Sequence, residues 1–167
     1  VAVDAMLSLP AESNFLLLVA GRQQLKGDLK HRLDLLVGRG GAQVLDRYVS
    51  SDEEKCCFEA ADAVLLPYIN HFGTSGVLSR AASAGKYIIA SDEQLVGRLV
   101  REHGMGSVFA SGDAKALADA IIAFGRHDEA SLIVCRDRAA GYAREFSRSA
   151  FREAVLRSLG LGIPRSV

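Results

Sequence analysis

The stretch Pro67-Tyr68-Ile69-Asn70-His71-Phe72-Gly73-Thr74-Ser75-Gly76-Val77-Leu78 carries the clearest capacity for chemistry in this sequence. It joins an apolar run to a segment with helical spacing, and its turn holds two glycines and two hydroxyl side chains. Glycine lets backbone approach a ligand closely. Free N–H groups at a helix start bind anions, helped by the helix dipole. Gly73, Thr74, Ser75 and Gly76 are therefore candidate ligands for a phosphate or diphosphate, although the same four residues also make a plain helix cap. His71 stands in the same loop. His31, His103 and His127 are scattered and read as surface residues.

Other routes to chemistry are poorly represented. There is neither a G-x-G-x-x-G after a strand nor a G-x-x-x-x-G-K-[ST]. Gly21-Arg22-Gln23-Gln24-Leu25-Lys26-Gly27 lacks the closing hydroxyl, and its Leu25 belongs to the face of the next helix. Cys56, Cys57 and Cys135 have neither a CxxC partner nor a His at metal-ligand spacing, and read as reduced, core-filling thiols. Lys plus Arg and Asp plus Glu both number 20, and Trp is absent. A neutral chain with few aromatics argues against nucleic acid as a partner. No apolar run approaches the roughly 20 residues of a membrane span.

These residues need a scaffold, and the pattern specifies one. Phe15–Ala20, Ala42–Leu45, Ala63–Leu66, Tyr87–Ala90 and Ser107–Phe109 read as short apolar strands. Strands apolar on both sides belong to sheets covered on both faces, usually parallel ones. Between them lie helical periodicities: Leu25, Leu29, Leu33, Leu36 and Val37 before Gly38; Leu78, Ala81 and Ala82 before Gly85; Leu95, Leu99 and Val100 before Gly104. Ser51-x-x-Glu54 has capping-box spacing and predicts a helix to about Ala60. Val1, Ala5, Met6 and Leu9 give a short helix closed by Pro10. Asp113 caps a helix through Leu117, Ile121 and Phe124, and two more helices are predicted over 129–144 and 149–159, the last capped by Ser147. Alternating strands and helices imply right-handed βαβ units. The expectation is an α/β fold, a Rossmann-like parallel sheet with helices on both faces, in one domain over 1–167.

From about residue 44 to 122 the order of segments resembles the C-terminal half of group 1 retaining glycosyltransferases of the GT-B fold. Tyr48-Val49-Ser50-Ser51-Asp52-Glu53-Glu54 leads through Phe58-Glu59-Ala60-Ala61-Asp62-Ala63 to Leu66-Pro67. Gly73 to Gly85 then leads into Tyr87-Ile88-Ile89-Ala90-Ser91. Leu99 to Gly106 is followed by Ser111-Gly112-Asp113 and Ala116 to Ile121, similar to the family's passage from G-x-G to A-L-A-x-A-I.

The resemblance implies a donor-binding domain for a nucleoside diphosphate sugar, with the nucleotide sugar as substrate and no resident cofactor or metal. Tyr48 and Val49 would lie against the base, Gly73–Gly76 against the diphosphate, and His71 and Arg80 beside the sugar and ribose. The family carries two glutamates eight positions apart, contacting the donor sugar and the ribose hydroxyls. Aligned on Gly85, those positions hold Phe72, read as a packing residue, and Arg80. The family also begins this half with a strand and loop bearing Arg and Lys, whereas Arg22 and Lys26 follow what counts as its second strand. The chain is therefore expected to be truncated at its N-terminus and inactive alone. Its parent would be a cytoplasmic enzyme whose N-terminal domain binds the acceptor. The alternatives are a degenerate, non-catalytic binding module and a GT-B-fold nucleotide-sugar epimerase.

Overall fold

The computed structural model describes residues 1–10 and 12–160. Five strands alternate with helices through the first two thirds of the chain: α1 Ala2–Ser8, β1 Leu17–Ala20, α2 Gly27–Gly38, β2 Ala42–Leu45, α3 Ser51–Ala60, β3 Ala63–Leu66, α4 Gly76–Ser83, β4 Tyr87–Ser91, α5 Gln94–His103 and β5 Gly106–Phe109. Three helices follow: α6 Ala114–Phe124, α7 Glu129–Glu145 and α8 Arg148–Ser158. Every strand pairing is parallel. The α/β architecture with helices on both faces is the one the sequence pattern predicts.

Alternation along the strands explains the two helical layers. Tyr87 and Ile89 of β4 enter one core cluster with α1, α2 and α6, which contribute Met6, Leu36 and Ile121. Ile88 and Ala90 enter the other, with Leu78 of α4, Val100 of α5 and Tyr142 of α7. A strand buried on both faces must be apolar at every position, which is why these runs do not alternate with polar residues.

The parallel strands form two sheets rather than one continuous sheet, β1-β2 and β3-β4-β5. Both contribute to the same layers, since Ala42 of β2 shares a cluster with Ile89 of β4. β4 is buried throughout, but Leu17, Leu18 and Val19 of β1 and Ala63, Val64 and Leu65 of β3 are only half-buried.

The helix ends largely follow the sequence, with one shift. The capping box of α3 is built on Ser50 and Glu53, one residue before the predicted pair: Glu53 N–H donates to Ser50 Oγ at 3.3 Å, and Ser50 N–H to Glu53 Oε2 at 2.9 Å. Both registers satisfy the motif, and the one on Ser50 also sets Glu53 against Arg47. Asp113 and Ser147 cap α6 and α8 as predicted, and Gly104 closes α5 in the left-handed conformation. Arg39 donates to the Met6 and Leu7 carbonyls at the end of α1, and Arg32 pairs with Asp4, locking α1 against α2. Cys56 is exposed rather than core-filling, because it falls on the outer side of α3; Cys57 and Cys135 are half-buried.

Helix α5 can cross the end of β4 only because residue 97 has no side chain. A Cβ at Gly97 would meet the Ser91 carbonyl oxygen and lie 2.7 Å from the Asp92 carbonyl carbon. Gly97→Ala should lower unfolding free energy by about 2 kcal/mol or more, measured by urea denaturation. Gly76→Ala, where a Cβ meets nothing within 4 Å, should change it far less.

Candidate functional site

The loops that follow β3, β4 and β5 meet at the C-terminal edge of the larger sheet. Asn70 N–H donates to Glu93 Oε2 at 3.0 Å, tying the loop after β3 to the one after β4. Ser111 N–H donates to Asp92 Oδ1 at 3.0 Å, and Ser111 Oγ donates to the Tyr68 carbonyl at 3.2 Å. All three non-glycine residues with positive φ among the described residues lie at this edge: Asn70 and Ser75 in the loop after β3, and Gln94 at the first position of α5. Such backbone costs about 1–3 kcal/mol at each residue and persists only where its surroundings enforce it.

Ser75 sits at the centre of this arrangement. Its φ of 62° and ψ of 118° place it where glycine is ordinarily required. Its Oγ accepts from Leu78 N–H at 3.2 Å and lies 2.9 Å from the Tyr68 hydroxyl. The serine therefore opens α4 as its N-cap, and its hydroxyl is already engaged. Thr74 and Gly73 are exposed beside it, and Gly76 is the first residue of the helix. His71 stacks on Tyr68 with ring centroids 4.5 Å apart. Its Nε2 is enclosed, has no hydrogen-bond partner, and faces the Cα of Gly73.

The remaining candidates, Phe72 excepted, lie apart from this loop. Tyr48 is 82% exposed, and Val49 lines a cavity between the two sheets. Gln23 N–H donates to Asp46 Oδ1 at 2.7 Å, joining the ends of β1 and β2. Arg47 grips Glu53 through both guanidinium nitrogens, at 2.6 and 3.0 Å, so the segment from Asp46 to Val49 is braced against α3. Arg80 is not a free surface cation: its Nη1 lies 3.0 Å from Glu54 Oε1, linking α4 to α3. Phe72 is 75% exposed, not a packing residue, because the loop turns its ring away from the stack of His71 on Tyr68. Asp92 and Glu93 are not marked by the sequence, and Ser111 enters it only within the Ser111-Gly112-Asp113 passage, with no role in the site. Their one signal was position directly after the strands β4 and β5.

In open α/β sheets a ligand binds beyond the carboxyl ends of the strands, where the winding direction reverses. Here the chain runs from β1 out to β2, returns through α3, and then winds from β3 through β4 to β5. The reversal lies between β1 and β3, and the Gly73–Gly76 turn emerges from β3 at that point.

The family profile described as glycosyl transferases group 1 matches residues 1–127. The chain belongs to that family. It is 31% identical over 107 residues to the phosphatidyl-myo-inositol mannosyltransferase of Mycobacterium leprae (strain TN), a match covering 56% of this chain and 29% of that protein. Its fold is similar to Anabaena HepE in complex with UDP, with a TM-score of 0.75 and 17% identity over 95% of this chain and 44% of that one. It is also similar to WaaG, a glycosyltransferase involved in lipopolysaccharide biosynthesis, with a TM-score of 0.68 and 20% identity over 92% and 40% of the respective chains. The chain thus spans less than half the length of these proteins. Among its described residues no helix is long and apolar enough to cross a membrane, and no three His, Cys, Asp or Glu residues are gathered as a metal site.

Two outcomes test this geometry. Ser75→Ala, which loses the cap but keeps the strained backbone, should cost about 1 kcal/mol in chemical denaturation. Ser75→Gly should cost less, because relief of the backbone offsets the lost cap. The second concerns Glu53, whose carboxyl is lowered to about 2 by the hydrogen bond from Arg47 and then by Ser50 N–H. A folded-state value below the unfolded one, about 4.3, gives a contribution fully present above that pH and lost as pH falls toward 2. Urea midpoints of wild type and Glu53→Gln should therefore differ most near neutral pH and converge in acid.

Proposed function

We propose that this chain is the donor-binding domain of a glycosyltransferase that moves a sugar from a nucleoside diphosphate to an acceptor hydroxyl. The observation that carries the reading is the Gly73–Gly76 turn opening α4 at the point where the strand order reverses. Ser75 Oγ takes the Leu78 amide, which leaves the amides of Gly76 and Val77 as the donors of the first turn. As the glycosidic bond breaks, negative charge grows on the leaving diphosphate. Fixed amide donors and the dipole of α4 stabilise that charge without reorganising. Thr74 adds a hydroxyl donor, while Ser75 holds the loop in shape. The donor is a substrate here, and the parent protein supplies the acceptor-binding domain.

The base belongs beside Tyr48 and Val49, whose segment Arg47 and Glu53 brace. The carboxylate that the family resemblance places at position 80 has a counterpart across the ion pair. Glu54 lines the cavity between the sheets and offers an acceptor for ribose hydroxyls, with Arg80 holding it in place. His71 Nε2, buried in the same loop and without a hydrogen-bond partner, would be available to the donor sugar.

Calorimetry with UDP, GDP and ADP measures the reading directly. One of the three should bind, and Thr74→Val should weaken it by roughly tenfold, about 1.4 kcal/mol. Glu54→Gln should weaken the ribonucleotide but not its 2′,3′-dideoxy form. Absence of binding by all three nucleotides in the full-length parent would refute the donor-domain proposal. The exposed Phe72 and the cation at position 80 favour one other reading, a binding module without transfer activity. Acceptor-dependent release of nucleoside diphosphate by the full-length parent excludes it.

A further inference from the structure

Helix α8 holds no buried residue and packs extensively on no other element among the described residues. Phe151, Val155 and Leu159 recur along it at four-residue spacing, and Arg148 and Arg152 fall on the same face. Phe151 is 71% exposed and Leu159 65%. A shallow hollow of about 630 Å³ runs along this face and is lined by α8 alone, through Arg148, Ser149, Phe151, Arg152, Val155 and Leu156. Phe146, which closes α7 just before α8 begins, is exposed as well. The cations of this face lack partners. Arg157 pairs with Glu153, whereas Arg144, Arg148 and Arg152 form no ion pair among the described residues.

We propose that this face of α8 binds an anionic lipid bilayer. The helix would lie in the plane of the interface, with Phe151, Val155 and Leu159 at the acyl boundary and Arg148 and Arg152 at the lipid phosphates. The interleaving of charge with apolar surface selects lipid over a protein partner. Against a protein, each desolvated guanidinium would need its own carboxylate, well placed, or the burial would cost several kcal/mol. At a bilayer, long side chains bend back to the phosphates while their stems cover the apolar surface beside them. Charge complementarity points the same way: α8 carries Arg148, Arg152 and Arg157 against Glu153 alone, in a chain whose net charge is zero. Cations near an anionic surface add to binding one by one, within a Debye length. The fold transmits the attachment, since α8 follows α7, and α7 packs on α4. The inference rests on the surface of α8 and does not require the nucleotide reading.

Co-sedimentation of the chain with vesicles measures the proposal. Vesicles of equal parts phosphatidylcholine and phosphatidylglycerol should bind it, and phosphatidylcholine alone should bind it far less. The double variant Arg148→Gln, Arg152→Gln should weaken binding roughly thirtyfold, and Phe151→Ser about tenfold. A control, Lys30→Gln with Lys115→Gln, removes the same charge from exposed pairs elsewhere and should leave the affinity unchanged. Urea midpoints should match wild type throughout, because all these side chains are exposed. Anionic vesicles should also slow amide exchange in peptides covering 148–158 and not in those covering 114–124. The proposal is overturned if anionic vesicles do not bind, if neutral ones bind equally well, or if the lysine control weakens binding as much as the arginine pair. Self-association that lipid leaves untouched and the arginine variant abolishes would assign the face to a second copy instead. A full-length parent already protected over 148–158 and unable to bind the vesicles would assign it to the rest of the polypeptide. None of these readouts involves a nucleotide, so the donor-binding reading stands or falls separately.

Discussion

Strand β4 has no exposed residue: Tyr87 and Ile89 belong to one core cluster, Ile88 and Ala90 to the other, and Ser91 is buried at its end. Burial on both faces requires two helical layers, and two layers require a chain that crosses from one to the other. The placement of α1, α2 and α6 on one side and α4, α5 and α7 on the other follows from that requirement. So does the position of the loops. Parallel strands with helical crossovers put all the strand-to-helix turns on one edge, and that edge is where Asn70, Ser75 and Gln94 carry their strained backbone. The core can enforce this strain because β3, β4 and β5 are held in register through hydrogen bonds and close backbone approaches. Gly106 illustrates the closeness, since a Cβ there would collide with the Ile88 carbonyl.

Much of the fold was legible because its elements are short, strongly apolar and punctuated. β2 and β3 fall where the apolar runs predict, and Gly85, Gly104 and Asp113 mark helix ends that the structure keeps. What was not legible depends on tertiary geometry. The capping box moves from Ser51 and Glu54 to Ser50 and Glu53, the register that also sets Glu53 against Arg47. The division into two sheets has no local sequence signal at all, since an edge strand and a central strand of a covered parallel sheet have the same apolar composition.

The candidate site was legible in part. A turn with two glycines and two hydroxyls before a helix marked the place, but could not say which hydroxyl was committed to structure. Ser75 caps α4 and meets Tyr68, so Thr74 is left facing outward. Phe72 and His71 are neighbours with opposite fates. Stacking on Tyr68 takes the imidazole inward, and chain alternation then sends the phenyl ring out. The roles of Asp92, Glu93 and Ser111 at the site escaped sequence reasoning because their contribution is to hold other loops, and only the folded chain brings those loops within reach.

The cation at position 80 weighs on function through its partner. Considered alone, Arg80 replaces a carboxylate acceptor with a donor and reads as loss of a ribose contact. Paired with Glu54, it reads as an exchange of charge between α4 and α3, which returns a carboxylate to the wall of the cavity. An exposed ion pair contributes little to stability, typically well under 1 kcal/mol, so folding alone gives weak reason for this particular pairing. What the pair does fix is the orientation of a carboxylate that lines the cavity. The same logic applies to His71, whose buried and unpaired Nε2 is a cost to the folded state unless something polar arrives to meet it. Glu54 is met by Arg80 whereas His71 Nε2 is not, so of the two only the imidazole carries a hydrogen-bonding capacity that the described residues leave unused.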